Sequence, residues 1–113
     1  MTMCTMRLAM IACDQMEGLS ILQHGESVAS YYKDLKSHLQ HGTDLKYEWR
    51  MPSWINNPLI LNNLLSDDIM ETYHIYHDCG KPVCIKWDEN GRRHFPNHAE
   101  VSKQTWLENG GDP

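Results

Sequence analysis

The longest regular pattern of apolar and polar positions runs from Leu19, where Leu22, Val28, Tyr31, Tyr32, Leu35 and Leu39 recur at helical spacing. That pattern predicts an amphipathic helix from about Glu17 to Gln40. His41-Gly42-Thr43 ends it, with Gly42 suited to a left-handed cap. Asp44 to Pro58 reads as a loop whose Trp49 and Trp54 are expected to lay their rings over a helical core, with a pocket wall lined by Glu48 to Trp54 as the alternative. Ile55 to Leu65 reads as a short helix started or interrupted at Pro58. Ser66-Asp67-Asp68 supplies a cap and an acidic first turn for a helix carrying Ile69, Met70, Tyr73 and Tyr76, which stops at Gly80 ahead of Pro82.

The period then changes. Val83 to Trp87 and Arg92 to Phe95 read as two extended arms joined by a tight turn at Asp88-Glu89-Asn90-Gly91. Asn97 is placed to cap a last helix in which His98, Val101, Thr105 and Trp106 recur. The expected class is all-α with a small hairpin-like insertion. Residues 1–16 are expected as a leader or extension, frayed or preceding a later start codon, 17–109 as the domain and 110–113 as a flexible tail. The apolar part of the N-terminal stretch ends at Cys13 with Asp14 at once behind it, too short for a secretory signal.

At 113 residues the chain has room for one small domain, and 41% hydrophobic with 22% charged residues is an ordinary globular composition. No apolar run approaches the roughly 20 residues of a spanning helix, so no membrane association is expected. The balance of 10 basic to 15 acidic residues, formally −5, disfavours non-specific binding to nucleic-acid backbones. A nucleotide substrate remains compatible with it, since a bound metal supplies positive charge locally. The four cysteines match no zinc-ribbon spacing. Cys79 and Cys84 flank a turn that a disulfide can bridge, but reduced thiols in a cytoplasmic protein are the expectation.

Seven histidines give the chain its candidate chemistry. His24 lies on the stripe with Val28, Tyr31 and Leu35, where a lone histidine is more often a hydrogen-bonded core residue than a ligand. His77 and Asp78 are adjacent near a helix end; their directions diverge by about 100°, so they grip one ion only if further ligands come from a neighbouring helix. The run Tyr76-His77-Asp78-Cys79-Gly80-Lys81-Pro82, then Asp88-Glu89-Asn90-Gly91, then His94-Phe95-Pro96-Asn97-His98-Ala99-Glu100-Val101-Ser102 resembles the HD-domain superfamily of metal-dependent phosphohydrolases. It is most similar to the HD module of bacterial tRNA nucleotidyltransferases, over about Leu22 to Trp106, with Gln23-His24-Gly25-Glu26-Ser27-Val28 at the family's first helix-borne histidine.

The resemblance implies an HD-like helical bundle and a metal-dependent phosphohydrolase. His24, His77 and Asp78 would hold a divalent ion. His98 would serve a second ion or the substrate phosphate, and Lys81 would pair with phosphate oxygens. Imidazole with carboxylate suits one or two ions of Mn, Fe, Co, Ni or Zn better than Mg. The expected partner is a nucleotide, a nucleic-acid end or a small phosphoester; a second copy of the chain is a further expected partner, able to complete core or ligand set. The family closes its site with an aspartate on a later helix, whereas Asp112 is the one aspartate after Asp88 and sits in a glycine-rich tail. A degenerate HD module that binds a nucleotide or protein without turnover is therefore the alternative, and a di-iron oxygenase a third reading. His94 is expected at the surface or behind the ligands, His38, His41 and His74 as solvated or locally satisfied, and Arg92-Arg93 as exposed charge or as steering groups for an anion.

Overall fold

The computed structural model describes residues 3–113. It is mostly helical, with two small two-stranded sheets. In order the elements are α1 Met3–Ala12, β1 Asp14–Met16, β2 Leu19–Ser20, α2 Ile21–His41, α3 Pro58–Asn62, α4 Asp67–Tyr76, α5 Lys81–Cys84, β3 Lys86–Trp87, β4 Arg93–His94 and α6 His98–Glu108. Both sheets are antiparallel hairpins, β1 with β2 and β3 with β4. Among the described residues no helix is long and apolar enough to cross a membrane.

The long helix forms as the pattern requires at its far end and differs at its start. Gly42 takes φ 67° and donates to the His38 carbonyl, closing α2 with the expected left-handed cap. At the other end, residues 14–20 fold as the β1–β2 hairpin and α2 begins only at Ile21. Ser20 and Gln23 form a reciprocal capping box there, the Ser20 hydroxyl accepting from the Gln23 N–H and the Gln23 side chain accepting from the Ser20 N–H. Such a box satisfies two of the amide donors that every helix start leaves unpaired.

The stretch set apart as a leader supplies core. Met6 and Met10, one helical turn apart on α1, are fully buried and pack with Ile21, Leu22 and Cys79. Met3, Cys13, Ile75, Tyr76, Phe95 and Trp106 surround them. Flexible methionine side chains fill an irregular gap where three helices and a turn converge.

α2 buries only the start of the expected stripe, at Leu22. Its core side is Ile21, Leu22, Gly25 and Ala29, while Val28 is half-buried and Tyr31 exposed. Gly25 faces the α4 backbone: a Cβ there would overlap the Ile75 carbonyl. Glycine at this point lets the two helices approach backbone to backbone, and the α2–α4 pair is the principal helix contact.

The remaining elements differ in extent: α3 covers only Pro58–Asn62 of the expected 55–65, α4 ends at Tyr76 short of Gly80, and Val83 and Cys84, expected in an extended arm, turn helical in α5 behind Pro82, leaving Lys86–Trp87 as the strand. The second hairpin pairs Lys86 with His94 and Trp87 with Arg93. Its turn is held by the Asp88 carboxylate, which accepts from the Asn90 and Arg92 amides, with Gly91 at φ 74°. Ser66 starts α4 without a side-chain cap, and Asn97 does the same for α6. Asn97 has φ 55°, so its side chain is not in the extended-backbone position from which an N-cap reaches the next amides. Trp54 is exposed rather than packed. The expected loose tail is tied back to α6, the Trp106 indole donating to the Asp112 carbonyl and the Gly111 amide to the Trp106 carbonyl. All four cysteines are unbridged; Cys79 donates to the Ser102 carbonyl and Cys84 to the Lys81 carbonyl.

Replacing Gly25 with alanine tests the close approach. In an ordinary helix interior the change gains about 1 kcal/mol; here the Cβ must push α2 from α4, at a cost of about 1–3 kcal/mol typical of overpacking. Urea unfolding of Gly25→Ala is expected to show a net loss of stability. A gain would mean that the helices do not touch at this residue.

Candidate metal centre

The α2–α4 contact sets the geometry of the most chemically distinctive cluster in the molecule. His24 precedes Gly25 on α2, and His77 caps α4 two residues beyond Ile75. The backbone approach therefore brings their rings to a centroid separation of 5.7 Å. Asp78 follows His77 in the turn toward α5. Its Oδ2 lies 3.2 Å from His77 Nε2, 3.8 Å from His24 Nε2 and 3.1 Å from Lys81 Nζ.

The turn is clamped from behind by α6. A Cβ on Gly80 would come within 2.5 Å of the Ser102 amide nitrogen, so this glycine also permits backbone-to-backbone contact. The Gly80 amide donates to the Ser102 hydroxyl at 3.0 Å, and Cys79 donates to the Ser102 carbonyl at 3.2 Å. Ser102 belongs to the motif run, but the sequence alone carried no role for it. Gln15 was missed altogether: its side-chain carbonyl accepts from Lys81 Nζ at 3.0 Å, and the Phe95 ring lies 5.3 Å from the same ammonium.

Each ligand candidate has an electrostatic state that follows from these contacts. Burial acts to raise the Asp78 pKa, but hydrogen bonds and charge from His77 and Lys81 outweigh it and hold the carboxyl at about 2. His77 is raised from its ordinary value, first by its hydrogen bond to Asp78. Its Nδ1 lies 2.6 Å from the His74 carbonyl, which can only accept, so Nδ1 carries the hydrogen and Nε2 points at Asp78. Metal-binding histidines are commonly oriented in this way by a carbonyl behind the ring. Burial lowers His24, against the pull of Asp78, and so favours the neutral imidazole that a metal requires.

The donor set is one that could hold a metal ion. One ligand atom from each of His24, His77 and Asp78 lies within 4.8 Å of the others, and among the described residues they form the one group of three or more histidine, cysteine and acidic side chains so placed. Atoms bound to one ion at 2.0–2.2 Å sit about 3–3.5 Å apart, so side-chain adjustments of modest size close the site. The two rings are partly exposed while Asp78 is buried, leaving one side open to solvent.

The other candidates lie elsewhere. His98 is exposed, with Nδ1 against the Phe95 carbonyl at 3.2 Å, and falls outside the cluster. The left-handed Asn97 immediately before it sets the start of α6. Lys81 reaches the cluster but is engaged by Asp78 and Gln15 rather than standing free for an anion. His94 pairs with Asp88 at 2.7 Å in the hairpin. Arg93 donates to the Asp14 and Gln15 carbonyls, docking that hairpin onto β1. His38 meets the Thr43 carbonyl, and the His74 ring packs on Tyr32 at 4.8 Å. Asp112 is held at Trp106 by its main chain and is not part of the cluster. Burial raises the Cys79 thiol to about 11, leaving it protonated and inert at neutral pH.

Comparison of the chain with protein-family models, with curated proteins and with solved structures finds no significant match.

The depressed Asp78 carboxyl has a measurable consequence for acid stability. Its folded pKa of about 2 lies below the ordinary 3.8, so its contribution is complete above 3.8 and is lost as pH falls through about 2. Chemical denaturation as a function of pH should show a shallower loss across that window in Asp78→Asn than in the parent chain. Identical acid limbs would place the carboxylate in solvent, away from His77 and Lys81.

Proposed function

We propose that the chain is a divalent-metal phosphohydrolase of the HD type, acting on a nucleotide, a nucleic-acid end or another small phosphoester. The observation that supports it above all is the convergence of His24 on α2 with His77 and Asp78 in the turn after α4, residues that the resemblance pairs as ligands. The order and spacing of the His-Asp-x-Gly-Lys-Pro run, the hairpin and the Phe-x-x-His-x-x-x-Ser run support the same reading, as does the mostly helical fold.

His24, His77 and Asp78 would hold the ion. When bound, a divalent metal supplies Lewis acidity, polarising a phosphoryl oxygen and making a water more acidic near neutral pH. The chain's own residues do the rest. The His74 carbonyl keeps His77 Nδ1 protonated and Nε2 turned inward. Asp78, ionised throughout the physiological range, contributes the negative charge. Lys81, beside that carboxylate, would pair with a phosphate oxygen and supply charge where phosphoryl transfer gathers it.

A second reading is a module that binds metal and nucleotide without turnover. Two observations favour it: the cluster gathers three protein ligands with no later aspartate among them, and the Lys81 ammonium already satisfies Asp78. Turnover separates the two readings.

With Mn²⁺, Co²⁺, Ni²⁺ or Zn²⁺ added, hydrolysis of a generic phosphodiester or of nucleotides is expected, falling at least about 100-fold in Asp78→Ala, as befits loss of a metal ligand. Metal-stimulated activity that survives this substitution would remove the centre from the reaction. Metal binding with no hydrolysis of any of these substrates would select the second reading.

Metal affinity should also depend on pH in a defined direction. His77 Nε2 must lose its proton to bind an ion, and its pKa is raised by Asp78. Affinity is therefore expected to fall as pH drops through that raised value. Calorimetry in buffers of different ionisation enthalpy should detect proton release on binding in that range, and pH-independent binding there would exclude His77 as a ligand.

A further inference from the structure

α2 carries more on its His24 face than one ligand. At 3.6 residues per turn, Val28, Tyr31 and Leu35 follow His24 along one stripe, turned away from Leu22, Gly25 and Ala29. Tyr31 lies seven residues beyond His24, about 10 Å further along the axis at 1.5 Å per residue. Its ring stacks on Tyr47 with centroids 4.2 Å apart and planes 17° from parallel, and Trp49 meets it edge-on at 5.5 Å.

Tyr47 and Trp49 come from residues 42–52, which form neither helix nor strand. What positions them is Asp34, an acidic side chain of α2 with 7% exposure. Its carboxylate accepts from the Lys46 amide at 2.9 Å, the Tyr47 amide at 3.2 Å and the Trp49 indole at 3.0 Å. A carboxylate screened from solvent must have its oxygens hydrogen-bonded, and these bonds go to the aromatic loop. Hydrophobic burial gives a poor return for that arrangement, because Tyr31 and Tyr47 remain 39% and 38% exposed. A rigidly held, half-open aromatic stack is what a planar ligand needs: stacking on it requires no ordering of the rings at the moment of binding.

We propose that the Tyr31–Tyr47 stack, fixed by Asp34, is a platform for the base of a nucleotide whose phosphate lies at the His24, His77 and Asp78 centre. This rests on the phosphoester reading above and narrows its substrate class to nucleobase-bearing phosphates. Stacking uses the face that every base possesses, so the platform prefers nucleotides over sugar phosphates and discriminates little among bases. Tyr73 is the competing surface. It is 63% exposed, with its ring 6.2 Å from that of His77, but nothing comparable to Asp34 holds it in place among the described contacts.

The test measures binding to the full-length chain by calorimetry, using AMP, ribose 5-phosphate and adenosine, with and without Mn²⁺. A Mn²⁺ titration alone reads the metal centre. Adenosine alone reads the platform, since it has no phosphate. AMP is expected to bind the Mn²⁺-loaded protein about 10-fold or more tightly than ribose 5-phosphate, a typical gain for one stacked base. Tyr47→Ala should reduce AMP to the level of ribose 5-phosphate, weaken adenosine similarly, and leave Mn²⁺ and ribose 5-phosphate unchanged. Tyr47→Phe, which keeps the ring, should restore the preference, and circular dichroism checks that each variant is folded. Equal affinity for AMP and ribose 5-phosphate, or a preference that survives Tyr47→Ala and disappears in Tyr73→Ala, would overturn the platform. Failure of Mn²⁺ to bind while adenosine binds in a Tyr47-dependent way would overturn the metal reading and keep the platform; absence of both overturns both.

Discussion

Backbone contact between α2 at Gly25 and α4 at Ile75 governs how far apart two helices lie, and the cluster of titratable groups is built on that spacing. Packed helices usually stand 8–10 Å apart, with the side chains at the crossing deciding where in that range. Glycine removes the spacer. The residue before it, His24, then reaches His77 and Asp78 with an ordinary side chain, and Gly80 against Ser102 performs the same service on the far side of the turn. Two glycines thus hold the His77–Lys81 turn between helices that are distant in sequence.

Charge imposes the second constraint. A carboxylate as buried as Asp78 must be compensated, and here one ammonium and two imidazoles surround it. Lys81 is itself buried, and it is satisfied in turn by Gln15 and the face of Phe95. The ionic groups of the cluster consequently satisfy one another. The Asp78 carboxylate is thus the shared partner of His77, His24 and Lys81. Asp34 solves the same burial problem differently, using neutral donors from a loop instead of counter-charges.

Several features were readable along the chain because their causes are local. The cap at Gly42, the Asp88–Gly91 turn and the paired arms beside it depend on residues within a few positions of each other. The Ser20–Gln23 capping box was equally legible as a serine three residues before a glutamine, yet the apolar pattern drew the helix start earlier. Asn97 shows the limit of local signals: an asparagine before a helix suits both a cap and a left-handed φ, and the packing of the preceding Phe95 segment accompanies the second. The N-terminal stretch carries no such local signal. A short apolar run has no intrinsic mark of burial, and Met6 and Met10 become core only because Ile21, Leu22 and Cys79 stand opposite them.

The sequence by itself determined the helical class, the long central helix and the turn of the second hairpin, since periodicity and turn signals are properties of neighbouring residues; His24, His77 and Asp78 became candidates together only through the resemblance to HD-domain motifs. Tertiary structure alone decided that these three meet, that His98 faces elsewhere, that Lys81 is engaged by Asp78 and Gln15, and that the His24 stripe leads to an open aromatic stack instead of the core. Those outcomes depend on distances between helices and on which face each one buries. Both are set by contacts such as Gly25 with Ile75 and Gly80 with Ser102, whose partners no pattern along a single strand of residues can pair.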